Sequence, residues 1–138
     1  MSVGFKVKFY WYQIGQGEFL HSFFSTVAYN LENKIWGSRF PIIMNELYQG
    51  KIEYKNINVA LEELDMIKTE LKSLSPQDVV WDIEDLSKQP PWGNNISEHI
   101  MDLSNYFVTS DGNDFLIIFS HALEKAKEVN SEIEIKSI

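Results

Sequence analysis

Residues Val79 to Gly93 read VVWDIEDLSKQPPWG, and this stretch holds the densest candidate chemistry in the chain. Asp82, Glu84 and Asp85 fall within four residues, Trp81 and Trp92 bracket them, and Pro90 and Pro91 stand side by side. Three chemistries use such a set: a carboxylate pair for acid–base hydrolysis, an oxygen cluster for a divalent cation, or a rigid acidic surface that presses against a basic partner. In a strand, Asp82 and Glu84 share one face about 7 Å apart, a spacing that suits the paired carboxylates of glycoside hydrolysis. Hydrolysis near neutral pH requires one carboxyl to stay protonated, through burial or strong coupling. A third acid next door and no implied pocket argue against that, so the sequence favours the surface.

The remaining motifs carry less. Glu98 and Asp102 lie four apart beside His99, one turn along a possible helix, and could bind a divalent ion. A solvated acidic turn is the simpler account. His21, His99 and His121 have no histidine or acid partner at metal-binding spacing. There is no phosphate-binding loop, no dinucleotide fingerprint and no nucleophile elbow, and GQGE at Gly15 reads as a turn. With no cysteine, disulfides, zinc thiolates and cysteine nucleophiles are excluded. The expectation is a protein that is not an enzyme, with no catalytic residue, metal or cofactor. The alternatives are a small acidic hydrolase or metal-dependent enzyme built on Asp82, Glu84 and Asp85, and a generic protein-interaction module.

Charge points the same way. The net charge is −8 over 138 residues, and it is concentrated. From Ser75 to Phe115 eight acids face Lys88 alone, whereas the other 97 residues hold twelve acids and eleven bases. Such a field repels phosphate backbones and anionic lipid and attracts basic proteins. Aromatic residues are 14% of the chain, but Trp81 and Trp92 interleave with acids, the wrong sign for a nucleic-acid ligand. Tryptophan suits a binding hot spot, and prolines lower the ordering cost of a loop. Trp81 is read as core, and Trp92 as either a loop anchor or a binding residue. No signal-peptide pattern or spanning apolar run occurs, so a soluble, cytoplasmic protein without membrane or direct nucleic-acid contacts is expected.

Elements must position these residues. Val3, Phe5, Val7, Phe9 and Trp11 alternate with more polar positions, which predicts a strand over Val3–Trp11 with Phe5, Val7 and Phe9 facing the core. Gly15 and Gly17 break it. Leu20, Phe23, Phe24, Val27 and Leu31 predict a helix over 18–33, and Pro41 opens a short one running to Tyr48. Ile57, Ala60, Leu61, Leu64, Ile67, Leu71 and Leu74 form the apolar stripe of the longest helix. VVWDI reads as a second strand, NNISEHIMDL as a short helix or irregular, and NYFVTS as a third strand. Asp111 is positioned to cap a helix whose stripe includes Phe115, Ile118, Phe119, Ala122, Leu123 and Ala126, with Asp114 beside its positive end. SEIEIKSI alternates again as a short edge strand. The order predicts an α+β fold over 1–138, a single domain with a small, mostly antiparallel sheet and helices packed on one side.

The blocks MSVGFKVKFYWYQIG, LHSFFSTVAYNLEN, WGSRFPIIMNELYQG, VVWDIEDLSKQPPWGNNIS and NYFVTSDG together resemble the immunity protein 70 family of bacterial polymorphic-toxin systems. The resemblance covers roughly Met1 to Asp114, and WDIEDLSKQPPWG and YFVTSDG are its most specific parts. It implies a non-enzymatic protein that protects its producer by binding the C-terminal domain of a cognate secreted toxin. Toxin domains of these systems are often nucleases, whose clefts tend to be basic, so an acidic inhibitor can imitate the substrate's charge. The family supplies no interface residues. The composition selects Asp82, Glu84, Asp85 and Trp92 as the toxin-binding centre, with Asp78, Glu98, Asp102 and Asp111 adding to the field.

Overall fold

The computed structural model of the chain describes residues 2–93 and 95–137. Strand β1 (Ser2–Val7) turns directly into β2 (Tyr10–Gln16), which runs into helix α1 (Gly17–Leu31). A π-helical segment over Ile42–Leu47 leads to the short strand β3 (Lys51–Ile52) and helix α2 (Ile57–Leu71). After a long irregular stretch come helix α3 (Phe115–Glu128) and strand β4 (Ile133–Ser137). The strands form one antiparallel sheet in the order β2-β1-β4-β3. This is an α+β fold, as the pattern predicts.

A few residues of β1 and β2 explain how the sheet packs. Phe5 and Val7 are fully buried and Lys6 is exposed, so β1 keeps its alternation with one face on the core. Phe5 meets Phe115 and Phe119 of α3 at ring-centroid distances of 6.1 and 4.9 Å. On the other face the Trp11 indole lies over Gly4 so closely that a Cβ there would stand 2.5 Å from it. Only glycine fits under that ring. Phe19, Phe23, Phe107 and Phe115 add edge-on aromatic contacts between α1, the irregular stretch and α3.

Several expectations are corrected. The strand expected over Val3–Trp11 is a hairpin folded at Lys8–Phe9, and Phe9 is exposed rather than core-facing. Period-two alternation carries no signal for a reversal made without glycine, asparagine or proline. The strand continues through Gly15 to Gln16, and α1 begins at Gly17. VVWDI is not a strand, and NYFVTS contributes a single bridge, Val108 to Asp114. Both runs are apolar because they pack down onto helices, which periodicity cannot distinguish from sheet pairing. NNISEHIMDL is irregular where it is described, and Asn94 lies outside the described residues. Asp114, not Asp111, caps α3 by accepting from the Leu116 and Ile117 amides. Strand β4 is internal to the sheet, paired with β1 and β3, because the unforeseen β3 covers it.

Two buried glutamates shape the connection between α1 and α2. The Glu32 carboxylate accepts from the backbone amides of Gly37, Arg39 and Phe40 at 2.9 to 3.0 Å. Glu63 of α2 accepts from Ile42 and Ile43 at 3.2 and 2.9 Å, which satisfies amides at the start of the π-helical segment. Burial pushes the Glu63 carboxyl above its ordinary range, against the opposing pull of those two amides.

Candidate functional site

The described residues of 72–114, between α2 and α3, hold a one-turn 3-10 helix at Pro76–Asp78 and one bridge. Connections longer than about 12–15 residues without their own secondary structure are uncommon and usually functional. This one carries the acidic excess, and its backbone amides and carbonyls need partners other than a ladder.

Helix α1 supplies many of them. It is buried on nearly every side, and Ser22, Ser25 and Thr26 line the face toward the segment. The Thr26 hydroxyl accepts from the Val80 amide at 3.0 Å and donates to the Val80 carbonyl at 3.1 Å. Ser22 donates to the same carbonyl, and Ser25 accepts from the Ile83 amide, each at 3.1 Å. Asn30 donates to the Asp78 carbonyl at 2.9 Å. The far part of the segment is tied by Leu103 N–H to the Leu74 carbonyl and by Ser110 N–H to the Ile14 carbonyl of β2. Leu103, Tyr106 and Phe107 are buried beneath it. The result is a strap, irregular in outline and tied down at Asp78–Ile83, at Leu103 and at Ser110.

The acids also build it. Six of the eight acids between Ser75 and Phe115 accept local hydrogen bonds. Asp78 closes a capping box with Ser75. Asp85 accepts from the Ser87 amide and hydroxyl, Asp102 from those of Ser104, and Asp111 from the Thr109 hydroxyl. Short polar side chains make such turns where regular structure is absent. Glu84 and Glu98, the two glutamates, stand exposed.

Asp82 is the most connected of them. Its Oδ1 accepts from the Glu84 amide at 2.9 Å and lies 3.2 Å from His21 Nε2, and Oδ2 lies 3.5 Å from Lys88 Nζ. The Glu84 amide first, then His21 and Lys88, hold the Asp82 carboxyl below its usual range. Hydrogen bonds from Ser87 do the same for Asp85, so both keep their charge while serving as turn acceptors. His21 Nδ1 lies 3.1 Å from the Tyr48 hydroxyl. A carboxylate only accepts, so Nε2 carries a proton toward Asp82, and in the neutral ring Nδ1 accepts from Tyr48. Burial, then the charges of Glu84 and Asp82, raise the Tyr48 phenol, which keeps it a donor. Glu18, His21, Trp81, Asp82, Lys88 and Gln89 line an open groove of about 550 Å³. Both ring nitrogens of His21 are committed to Tyr48 and Asp82, so this groove presents no free imidazole base.

Sequence reasoning brought Asp82, Glu84 and Asp85 together with Asp82 and Glu84 on one strand face, and the structure puts all three in successive tight turns. Trp81 is half-buried against the core. Trp92 is 38% exposed, meets Trp81 edge-on at 5.5 Å, and donates from Nε1 to the Tyr106 hydroxyl at 2.8 Å. It therefore braces the strap while showing part of its ring. Glu98 and His99 are exposed, and Asp102 turns to Ser104 rather than to them. Among the described residues no group of three or more His, Cys, Asp and Glu is placed to hold a metal ion. His21 was missed because its acid partner lies 61 residues away. Ser22, Ser25, Thr26 and Asn30 did leave a signal: a polar stripe at helical spacing, opposite a continuous apolar face.

The sequence model of a family described as Immunity protein 70 matches residues 5–135. This chain belongs to the immunity protein 70 family. No curated protein and no solved structure matches it. Family membership supports an immunity role and implies a toxin as partner. The match also takes in α3 and most of β4, beyond the blocks that carry the resemblance in the sequence. No helix among the described residues is long and apolar enough to cross a membrane.

Proposed function

We propose that this immunity protein acts in the cytoplasm, neutralising the C-terminal domain of a cognate secreted polymorphic toxin, and that this domain is a basic nuclease. The strap carries the proposal. It is a long irregular segment, held by buried hydroxyls of α1, and its stretch from Ser75 to Phe115 shows eight acids against Lys88. Preorganisation removes the ordering cost from binding, and the field steers a basic partner. Glu84 and Glu98 are exposed charges, Trp92 offers a partly exposed ring on the same segment, and Asp78, Asp82, Asp85, Asp102 and Asp111 combine charge with turn formation. Nothing in this role requires turnover.

The test is titration of the toxin domain encoded beside this chain's gene with wild type and a Glu84→Gln, Glu98→Gln variant. Asp85 is left intact because its carboxylate closes a turn on Ser87. Asp82 is left intact because its carboxylate anchors the strap to His21. The variant should associate more slowly, and the difference should shrink as salt rises, because at ~0.15 M the screening length is already about 8 Å. Equal association rates at low salt would remove the strap from the interface. A toxin domain that is acidic, or that cleaves no nucleic acid, would refute the nuclease assignment.

A further inference from the structure

The groove of about 550 Å³ lies between the start of α1 and the strap. Glu18 and His21 line it from the helix, and Trp81, Asp82, Lys88 and Pro91 from the strap. The Glu18 carboxylate is exposed in the first turn of α1, with no hydrogen bond or ion pair among the described residues. Asp82 Oδ1 is taken by the Glu84 amide and His21. Oδ2 faces the Lys88 ammonium at 3.5 Å, longer than the ~2.7–2.9 Å of a charge-assisted hydrogen bond. The Lys88 side chain is 58% exposed, and so open a pair is weak. Glu84 and Asp85 add their charges nearby, Glu84 acting on Tyr48 and Asp85 on Lys88. Glu18, Asp82, Glu84 and Asp85 thus stand against Lys88, with His21 shared between Tyr48 and Asp82. Trp81 and Pro91 form an apolar wall, and a hollow of about 220 Å³ continues from them past Phe19, Trp92 and Val108.

We infer that this groove seats an arginine of the toxin domain, and that Lys88 is the chain's own stand-in, which the arginine displaces. The inference rests on the immunity reading above. Charge complementarity selects the occupant, because the acids that steer a basic partner toward the strap also line this groove. Lys88 shows that a cation settles over Asp82 Oδ2, and its long, exposed contact is one that a better-fitted cation replaces. A guanidinium fits better on three counts. Its planar fork matches a carboxylate with two parallel hydrogen bonds. It stacks on an aromatic ring such as that of Trp81. It is also more weakly hydrated than an ammonium, so less is lost when the groove closes over it. Displaced Lys88 keeps an acid partner in Asp85. A second copy of this chain does not supply the arginine. The chain contains one, Arg39, and it is already forked onto Glu70 and donates to the Leu31 carbonyl. Nor is the groove a metal site, since among the described residues no three His, Cys, Asp or Glu are placed to hold an ion.

The experiment titrates the toxin domain encoded beside the gene with wild type, Glu18→Gln and Lys88→Met, at low and high salt. Each surface arginine of the toxin domain is also replaced in turn by alanine. Glu18 is exposed and lies outside the strap, so Glu18→Gln should leave the melting temperature nearly unchanged. It should weaken binding about ten-fold, mainly through faster dissociation, and the loss should persist at high salt because the pair is desolvated. Lys88→Met should bind several-fold more tightly, since the arginine no longer has a cation to displace. One toxin arginine should couple to Glu18: once it is alanine, Glu18→Gln should cost nothing further. Lysine at that position should restore only part of the affinity. If Glu18→Gln binds and protects cells like wild type, or its effect vanishes at high salt, the acids only steer and the inference falls while the immunity reading stands. Weaker binding by Lys88→Met, or the absence of any arginine coupled to Glu18, overturns it in the same way. A wild type that does not bind the toxin overturns the immunity reading, and this inference with it.

Discussion

Replacing Thr26 with valine removes one oxygen and keeps the side chain's shape, so it tests the strap's attachment with little change in packing. In the native protein the Val80 amide gives its hydrogen to Thr26 Oγ1 at 3.0 Å. The Val80 carbonyl takes hydrogens from both Thr26 and Ser22, each at 3.1 Å. Val80, Ser22 and Thr26 are all buried, so water does not readily replace a lost partner. Thr26→Val leaves the carbonyl with Ser22 and the amide with nothing. A buried donor without a partner costs about 1–3 kcal/mol, and we expect about 2. Ser22→Ala leaves both groups of Val80 served by Thr26 and should cost no more than about 1 kcal/mol.

The double variant is the sharper measurement. It strips the carbonyl as well as the amide, a loss that neither single variant produces. The double cost should therefore exceed the sum of the singles by about 1–2 kcal/mol. Urea unfolding followed by tryptophan fluorescence reports this, because Trp81 and Trp92 lie on the strap. Against a total stability of about 5–15 kcal/mol, the double variant should remain folded in the cold. If Thr26→Val is no more destabilising than Ser22→Ala, or if the two effects simply add, Val80 is not held as described. The rigid-strap reading would fall with it.

Two further predictions concern other carboxylates. Glu32→Ala orphans the amides of Gly37, Arg39 and Phe40 and should cost about 3–5 kcal/mol, with Glu32→Gln milder because it keeps one acceptor oxygen; chemical denaturation checks both. Asp82 has a carboxyl held below its usual range by the Glu84 amide, His21 and Lys88. Its contribution is full above the unfolded value of about 3.9 and is lost as pH falls through the lower folded value. Asp82→Asn should therefore be less stable than wild type at pH 7, with the difference closing below about pH 4; unfolding curves at pH 3 and pH 6.5 measure it.

Much of the fold was legible because its helices and first strand obey simple periods. Phe23, Phe24 and Val27 of α1 and Ile57, Leu64 and Ile67 of α2 are buried at the positions that helical spacing selects. The two misassigned strands share one cause. VVWDI and NYFVTS are apolar because they pack on helices, and neither Val79–Val80 nor Phe107 announces whether its backbone will meet a strand or a side chain. Here the Val80 backbone meets Thr26, 54 residues away. No local pattern encodes a partner at that separation. The hairpin at Lys8–Phe9 was missed for the complementary reason. It uses a lysine in left-handed geometry, so the usual turn residues are absent.

The acids show why composition locates a candidate surface more readily than it explains one. Their concentration between Ser75 and Phe115 is plain in the sequence, where it signals only charge. The structure adds a second role, because an irregular segment this long needs acceptors for its own amides. Asp78, Asp82, Asp85, Asp102, Asp111 and Asp114 provide them. The roles reinforce each other, since an amide or hydroxyl donated to a carboxylate favours the ionised form. Asp82 and Asp85 are shifted in that direction. Neutralising an aspartate of the strap therefore changes its shape as well as its field. Glu84 and Glu98 are the better probes of charge, because their exposure separates steering from folding.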